Sequence, residues 1–198
     1  VDALPGIKKS FVGGGIRYDM LLHETNDKKI DESNRAYLRE LIKNHVSGRL
    51  KVAPEHTSDS TLKIMRKPSF DYFHRFNTLF NELDKKYRLN QQLVPYFISS
   101  HPGCTEEDMA ELAATTKELN FKLEQVQDFT PSPMTLATEI YYTGYHPYTM
   151  KPVYTAKNAQ QKSEQRQFFF WYDSTKRNAI IKKLKRIGKH DLIKKLYG

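Results

Sequence analysis

Between Gln91 and Asn120 the sequence runs QQLVPYFISSHPGCTEEDMAELAATTKELN, and this stretch constrains the fold more than any other. Residues 93–98 are an apolar run, short enough for a buried strand. Residues 99–105 (SSHPGCT) are polar and turn-forming, and Glu106, Glu107 and Asp108 then crowd one place. Met109, Leu112, Ala113 and Leu119 follow at helical spacing. Thr105 with Asp108 is close to a capping box, and acids in a first turn suit the helix dipole. The stretch is therefore a strand, a loop and a helix. Its loop lies at the strand's carboxyl end, where α/β folds carry their chemistry.

The flanking chain repeats that alternation. Residues 10–15 (SFVGGG) form a strand candidate that ends in glycines and leads to Arg17 and Asp19. Asp31 or Ser33 can cap a helix with Tyr37, Leu38, Leu41, Ile42 and His45 on one face, and Gly48 ends it. Residues 49–53 are a second strand, stopped by Pro54. A short helix with Leu62 and Met65 follows the polar loop 55–59 and is closed by Pro68. Phe73, Phe76, Phe80, Leu83 and Tyr87 step by three and four along a longer helix. Beyond the central stretch, residues 123–129 are a fourth strand, after which Pro131 and Pro133 remove ladder donors.

Strand and helix alternate at spacings suited to right-handed crossovers, so the body is expected to be a parallel α/β sheet. Four strands are too few to close a barrel, and an open parallel edge is a sticky surface. The chain is therefore expected to be the second half of a larger α/β unit, and a start at Val1 fits an excised or processed piece. Residues 1–142 would form that core, and 143–198 an irregular linker with a basic helical extension. Within the extension, 162–172 reads as helical and ends in the cluster FFFWY, which must pack against something. Ile180, Ile181, Leu184 and Ile187 mark another helix, broken by Gly188, and Leu192, Ile193 and Leu196 start a last one.

Charge is distributed unevenly. The net charge is +9, yet residues 174–198 hold nine Lys and Arg against the single acid Asp191. The body is nearly neutral, so any affinity for nucleic acid belongs to residues 174–198 alone, and a solvated helical face is the plainer reading. No run approaches the length of a membrane span. A single cysteine, Cys104, precludes an internal disulfide and fits a reducing cytoplasm. There is no CxxC, HExxH or cysteine cluster to supply a metal site.

The candidate chemistry sits at strand ends. Residues 102–105 (PGCT) at a helix start can cradle an anion on free amides, or be a plain turn. His101 is open as a base, a ligand or a loop residue bonded to backbone. Cys104 reads as an inert thiol more readily than as a nucleophile. Glu55 and His56 follow a buried strand, where a carboxylate either faces a ligand or makes a local salt bridge. Arg17 and Asp19 can simply pair with each other, and Asp128 can bond an amide of the proline-rich turn. Three polar loops at three successive strand ends point to one shared site.

Three stretches together resemble the radical S-adenosylmethionine (SAM) superfamily. EHTSDSTLKIMRK (residues 55–67) is similar to a fourth-strand motif written E-S-x-S-D-x-x-L-x-x-M-x-K. YFISSHPGCTEED (96–108) resembles a fifth-strand motif, I-x-G-x-P-G-E-T-x-E-D. FTPSPMTLA (129–137) is similar to a sixth-strand segment ending P-x-T-x-A. The wording GIRYD, KVAPEHTSD, PYFISSHPGCT and QDFTPSPMTLAT looks like the YgiQ-type family of these proteins, over nearly the whole chain and in the right order.

That resemblance implies the second half of a partial (β/α)6 TIM-like barrel, with strands three to six present. It implies SAM and a 4Fe-4S cluster held by a C-x3-C-x2-C loop outside this chain, giving a 5′-deoxyadenosyl radical that abstracts hydrogen from a substrate. Carried over, Glu55 would meet the SAM ribose or amino group, and Ile98, Ser99 and Ser100 would run beneath the adenine beside His101. Phe129 and Thr130 would stack on or bond the adenine, and Arg17 is the candidate for the SAM carboxylate. Ser100 stands where glycine is usual, and Cys104 where glutamate is usual. The missing N-terminal half of the same protein would be the partner, and these residues by themselves are expected to be inactive. Two alternatives stay open: an α/β enzyme using Glu55 and His101 as an acid–base pair on a phosphorylated substrate, and a nucleic-acid-binding module acting through the basic tail.

Overall fold

The computed structural model describes residues 2–198. In chain order the elements are α1 (Tyr18–Leu22), α2 (Lys28–Asn44), β1 (Arg49–Glu55), α3 (Asp59–Ile64), α4 (Asp71–Tyr87) and β2 (Gln92–Ser99). They continue with α5 (Glu106–Glu118), β3 (Gln125–Asp128), α6 (Leu136–Thr143), α7 (Ala159–Arg166), α8 (Ser174–Arg186) and α9 (His190–Tyr197). A 3-10 turn, Gln167–Phe170, joins the end of α7. The strands form one parallel sheet in the order β1-β2-β3, so the class is α/β.

The expected first strand is absent among the described residues. Residues 10–15 make no ladder; a single parallel bridge joins Ile16 to Val52 instead. Gly13, Gly14 and Gly15 offer no side chain to pack and lose the most backbone freedom on ordering, which explains the loss. The sheet thus has three strands rather than four.

The chain divides into two compact units. One comprises the residues up to Pro54 together with Ser69–Tyr96. Its core is the phenylalanine stripe of α4, where Phe73, Phe76 and Phe80 are fully buried against Leu38, Leu41 and Ile42 of α2. Tyr18 stacks on Phe76 with ring centroids 5.1 Å apart. Helix α2 starts earlier than expected because Asp27, not Asp31 or Ser33, is its cap and accepts from the Lys29 amide at 2.8 Å. Asp31 instead accepts from both the amide and the hydroxyl of Thr25. Tyr37 is exposed, and α2 ends at Asn44 rather than at Gly48.

The other unit comprises Glu55–Pro68 and Phe97–Gly198. Helix α5 is its axis. Thr105 and Asp108 form the full capping box, with the Thr105 hydroxyl accepting from the Asp108 amide and the Asp108 carboxylate accepting from the Thr105 amide. Helix α3 stops at Ile64, before Pro68, and Arg66 turns left-handed behind it. The aromatic cluster does find its packing: Phe168 and Phe169 are fully buried, and the Trp171 indole donates to Thr116. The Tyr172 hydroxyl donates to the Leu123 carbonyl at 2.9 Å.

The basic tail is part of this unit. Helix α9 lies on α5, with Leu192 and Leu196 buried. Lys183 and Arg186 pair with Glu164, Arg186 also with Glu106, Lys189 with Glu107, and Lys195 with Glu118. Much of the tail's charge therefore faces acids of α5 and α7. No helix among the described residues is long and apolar enough to cross a membrane.

Exposed ion pairs add little to stability, whereas an emptied core position costs several kcal/mol. Leu192→Ala is expected to destabilise the protein by about 2–4 kcal/mol. Lys195→Ala should shift the urea midpoint far less. Equal shifts would mean that charge, not apolar burial, docks the tail.

Candidate functional site

The second unit holds a cavity of about 450 Å³ at the carboxyl ends of all three strands. Its size is within the range of small-molecule sites. The end of β1 contributes Glu55, and the end of β2 contributes Ile98 with His101 just beyond. The end of β3 gives Asp128, followed by Phe129 and Thr130. Met65 and Lys67, behind α3, complete one wall, and Thr135 and Ala137 at the start of α6 another. Its charged lining is two carboxylates, Glu55 and Asp128, against one ammonium, Lys67.

Glu55 stands 3.3 Å from Lys67 Nζ, which is the local salt bridge, and it also lines the cavity. Its backbone is left-handed, with φ 68°. Ser100, the residue after β2, is left-handed as well, at φ 61°. Such conformations cost roughly 1–3 kcal/mol in non-glycine residues and collect at functional sites. At position 100 glycine would enter that conformation without steric cost, so the serine there is held against its own preference.

His101 packs edge-on against Phe129, with centroids 4.9 Å apart. Its Nδ1 lies 2.9 Å from the Pro102 carbonyl, which can only accept, so Nδ1 carries the proton. Burial holds the His101 pKa down, against the opposing bond to Pro102, so Nε2 is left with a free lone pair. Phe129 is backed in turn by Tyr141 at 5.6 Å.

Behind the cavity wall runs a buried polar network. The Ser58 amide donates to His56 Nδ1, which leaves the proton on Nε2, 3.4 Å from Cys104 Sγ. The Cys104 thiol donates to Gln165 Oε1 at 3.3 Å, and that oxygen also accepts from the Ser100 amide at 2.7 Å. Gln165 Nε2 returns a bond to the Cys104 carbonyl at 2.7 Å. Burial lowers the His56 pKa to about 4, with Asp108 opposing and His101 assisting. Burial and Asp108 push the Cys104 thiol far up, so it is inert. Gly103, at φ 86°, has no room for a Cβ against Ile64, and its amide donates to the Tyr154 carbonyl.

Of the residues singled out in the sequence, Glu55, Ile98, His101, Phe129 and Thr130 share the cavity. Ser99 and Ser100 are fully buried outside its lining; the Ser99 hydroxyl donates to Asp128 at 2.5 Å. Asp128 therefore bonds a side chain, and Arg166, rather than an amide of the proline-rich turn. Arg17 belongs to the other unit, where it makes a two-pronged pair with Asp19. Lys67 and Gln165 carry no functional reading in the sequence. Lys67 closes the 55–67 motif, which is a usable signal; Gln165 sits in the polar run AQQKSEQR, where nothing distinguishes it.

Comparison with known proteins adds relatives without a stated activity. Residues 124–195 match a family model described as a domain of unknown function (DUF3362). A UPF0313 protein of Bacteroides thetaiotaomicron is 63% identical over all 198 residues, and one of Porphyromonas gingivalis is 59% identical over 197. A UPF0313 protein of Clostridium perfringens is 39% identical over 193 residues, 98% of this chain. The chain spans 32%, 31% and 28% of those relatives, a third or less of their length.

The buried histidines make stability depend on pH. The folded chain refuses protons at His56 and His101 that the unfolded chain accepts, so stability is full above about pH 6.5 and declines as pH falls toward about 4. At about 1.4 kcal/mol per unit, His56 alone accounts for roughly 3 kcal/mol of that decline. His56→Gln should flatten the slope in urea melts taken across this window; an unchanged slope would place the titration elsewhere. Separately, Ser100→Gly is expected to raise stability by about 1 kcal/mol, by releasing the left-handed penalty and a buried hydroxyl with no partner.

Proposed function

We propose that the cavity binds S-adenosylmethionine, and that the chain is the SAM-binding half of a radical SAM iron–sulfur enzyme of the YgiQ type, built on a partial (β/α)6 barrel. The observation that supports this most is the meeting of three consecutive strand ends in one cavity, the arrangement implied by the motifs that begin at Glu55, Tyr96 and Phe129. The lining chemistry fits the ligand. Phe129 offers an aromatic surface to a purine, and Glu55 can accept from ribose hydroxyls or an ammonium. Thr130 and Thr135 add hydroxyls.

Charge separates this reading from a phosphorylated substrate. Lys67, the ammonium of the lining, is already paired with Glu55, and Arg166 behind it with Asp128, so neither cation is left unpaired to hold a phosphate, while the two carboxylates can still accept from an amine. The chain's cysteine does not fit the cluster: Cys104 is buried and un-ionised, and a 4Fe-4S centre takes thiolates. Cluster ligands would have to come from outside these residues.

Bound here, SAM supplies hydrogen-abstraction chemistry once reduced by such a cluster. The chain's own work is to orient the adenosyl group on Phe129, anchor it at Glu55 and keep water out through Ile98 and Met65. A nucleic-acid substrate held by residues 174–198 is the second possibility, weakened by the tail's pairing with Glu106, Glu107, Glu118 and Glu164.

The polypeptide at the full length of its relatives, reconstituted with iron and sulfide without oxygen, should convert SAM to 5′-deoxyadenosine and methionine on reduction. Glu55→Ala and Phe129→Ala should each weaken SAM binding about tenfold or more. A cluster-loaded protein that neither binds nor cleaves SAM would sink the proposal.

A further inference from the structure

We infer that α7 is a positioning element for the cavity, with Gln165 and Arg166 each fixing one of the strand ends that line it. The region similar to a domain of unknown function thereby works as the buttress of the site, not as an appended module. Only the identity of the ligand rests on the SAM reading; the positioning does not.

Gln165 is fully buried near the end of an otherwise polar helix, where a glutamine is a poor choice for packing alone. Its carboxamide grips both ends of the loop 100–104: Oε1 accepts from the Ser100 amide, and Nε2 donates to the Cys104 carbonyl, each at 2.7 Å. Between those ends, the Gly103 amide donates to the Tyr154 carbonyl at 2.8 Å, a second hold from the same C-terminal region. The loop held in this way is the one that carries His101 into the cavity.

Arg166 does the equivalent at β3. Its guanidinium lies 3.2 Å from Asp128 Oδ2, while Asp128 Oδ1 accepts from the Ser99 hydroxyl. Asp128 is thus fastened from both sides, and Phe129 and Thr130 follow it directly. Two adjacent residues of one helix therefore set the ends of β2 and β3. Because His101 leans on Phe129, the two holds meet at one ring contact.

A merely stabilising glutamine would lower the melting point and leave the cavity's chemistry alone. The test compares Gln165→Met, which keeps the side-chain length and loses the bonds, with Leu192→Ala, a core loss in α9 remote in sequence from the loop. His101 is titrated by proton NMR in the full chain, with its resonance assigned through His101→Gln, and S-adenosylhomocysteine affinity is measured alongside. Gln165→Met should move the His101 pKa up toward its ordinary value by about half a unit or more, as water reaches the ring. It should also weaken S-adenosylhomocysteine roughly tenfold. Leu192→Ala should do neither. A His101 titration unmoved in Gln165→Met overturns the inference. Should that variant not fold, Arg166→Ala, at an exposed side chain, must shift the His101 ring resonance through Phe129; an unmoved resonance overturns it equally. If the unaltered chain ignores S-adenosylhomocysteine, the SAM reading falls, and the His101 titration still decides the positioning role.

Discussion

A buried amide must find an acceptor, and at Ser100 that acceptor is the Gln165 carboxamide. Past Ser99 the β2 backbone turns left-handed, and the Ser100 amide, buried with its residue, bonds to α7. Leaving it unpaired would cost about 1–3 kcal/mol. The single side chain that prevents this also takes the Cys104 thiol and bonds the Cys104 carbonyl. One residue further on, the Thr105 capping box starts α5, the helix on which the tail docks. Strand end, loop and helix start are therefore one connected polar construction, closed by a residue more than sixty positions away.

Formal charge is a poor guide to what the tail does. Its cations are partly matched by Glu106, Glu107 and Glu118 of α5 and Glu164 of α7, while Arg177 lies over the Tyr197 ring at 5.0 Å. Lys176, Lys182, Lys185 and Lys194 enter none of these pairs, and they carry what outward positive field the tail retains. Apolar burial of Ile180, Leu184, Leu192 and Leu196 explains its attachment more simply than charge does.

Legibility followed the range of the interaction. The Thr105–Asp108 capping box, the α4 phenylalanine stripe and the β2-loop-α5 unit are local patterns, and all three stand as the sequence implies. Residues 10–15 have a strand's apolar start but glycines where packing is needed, and they reduce to the bridge beside them. Helix α2 offers several capping residues, and Asp27 takes the role while Asp31 turns back to Thr25. The cavity is half legible: strand ends announce themselves, so Glu55, His101 and Phe129 can be named. Gln165 and Arg166 cannot, because a side chain that reaches across the fold leaves no periodic trace in its own helix.

Glu55 holds a conformation that its own side chain disfavours. Valine, isoleucine and threonine would clash in that backbone, while glycine, asparagine and aspartate enter it most easily. Random substitution at this position is therefore funnelled toward residues that are shorter or uncharged. A glutamate kept at this position in a relative would be kept against that drift, so sequence variation at position 55 would report on demand for the acid rather than on tolerance of the chain.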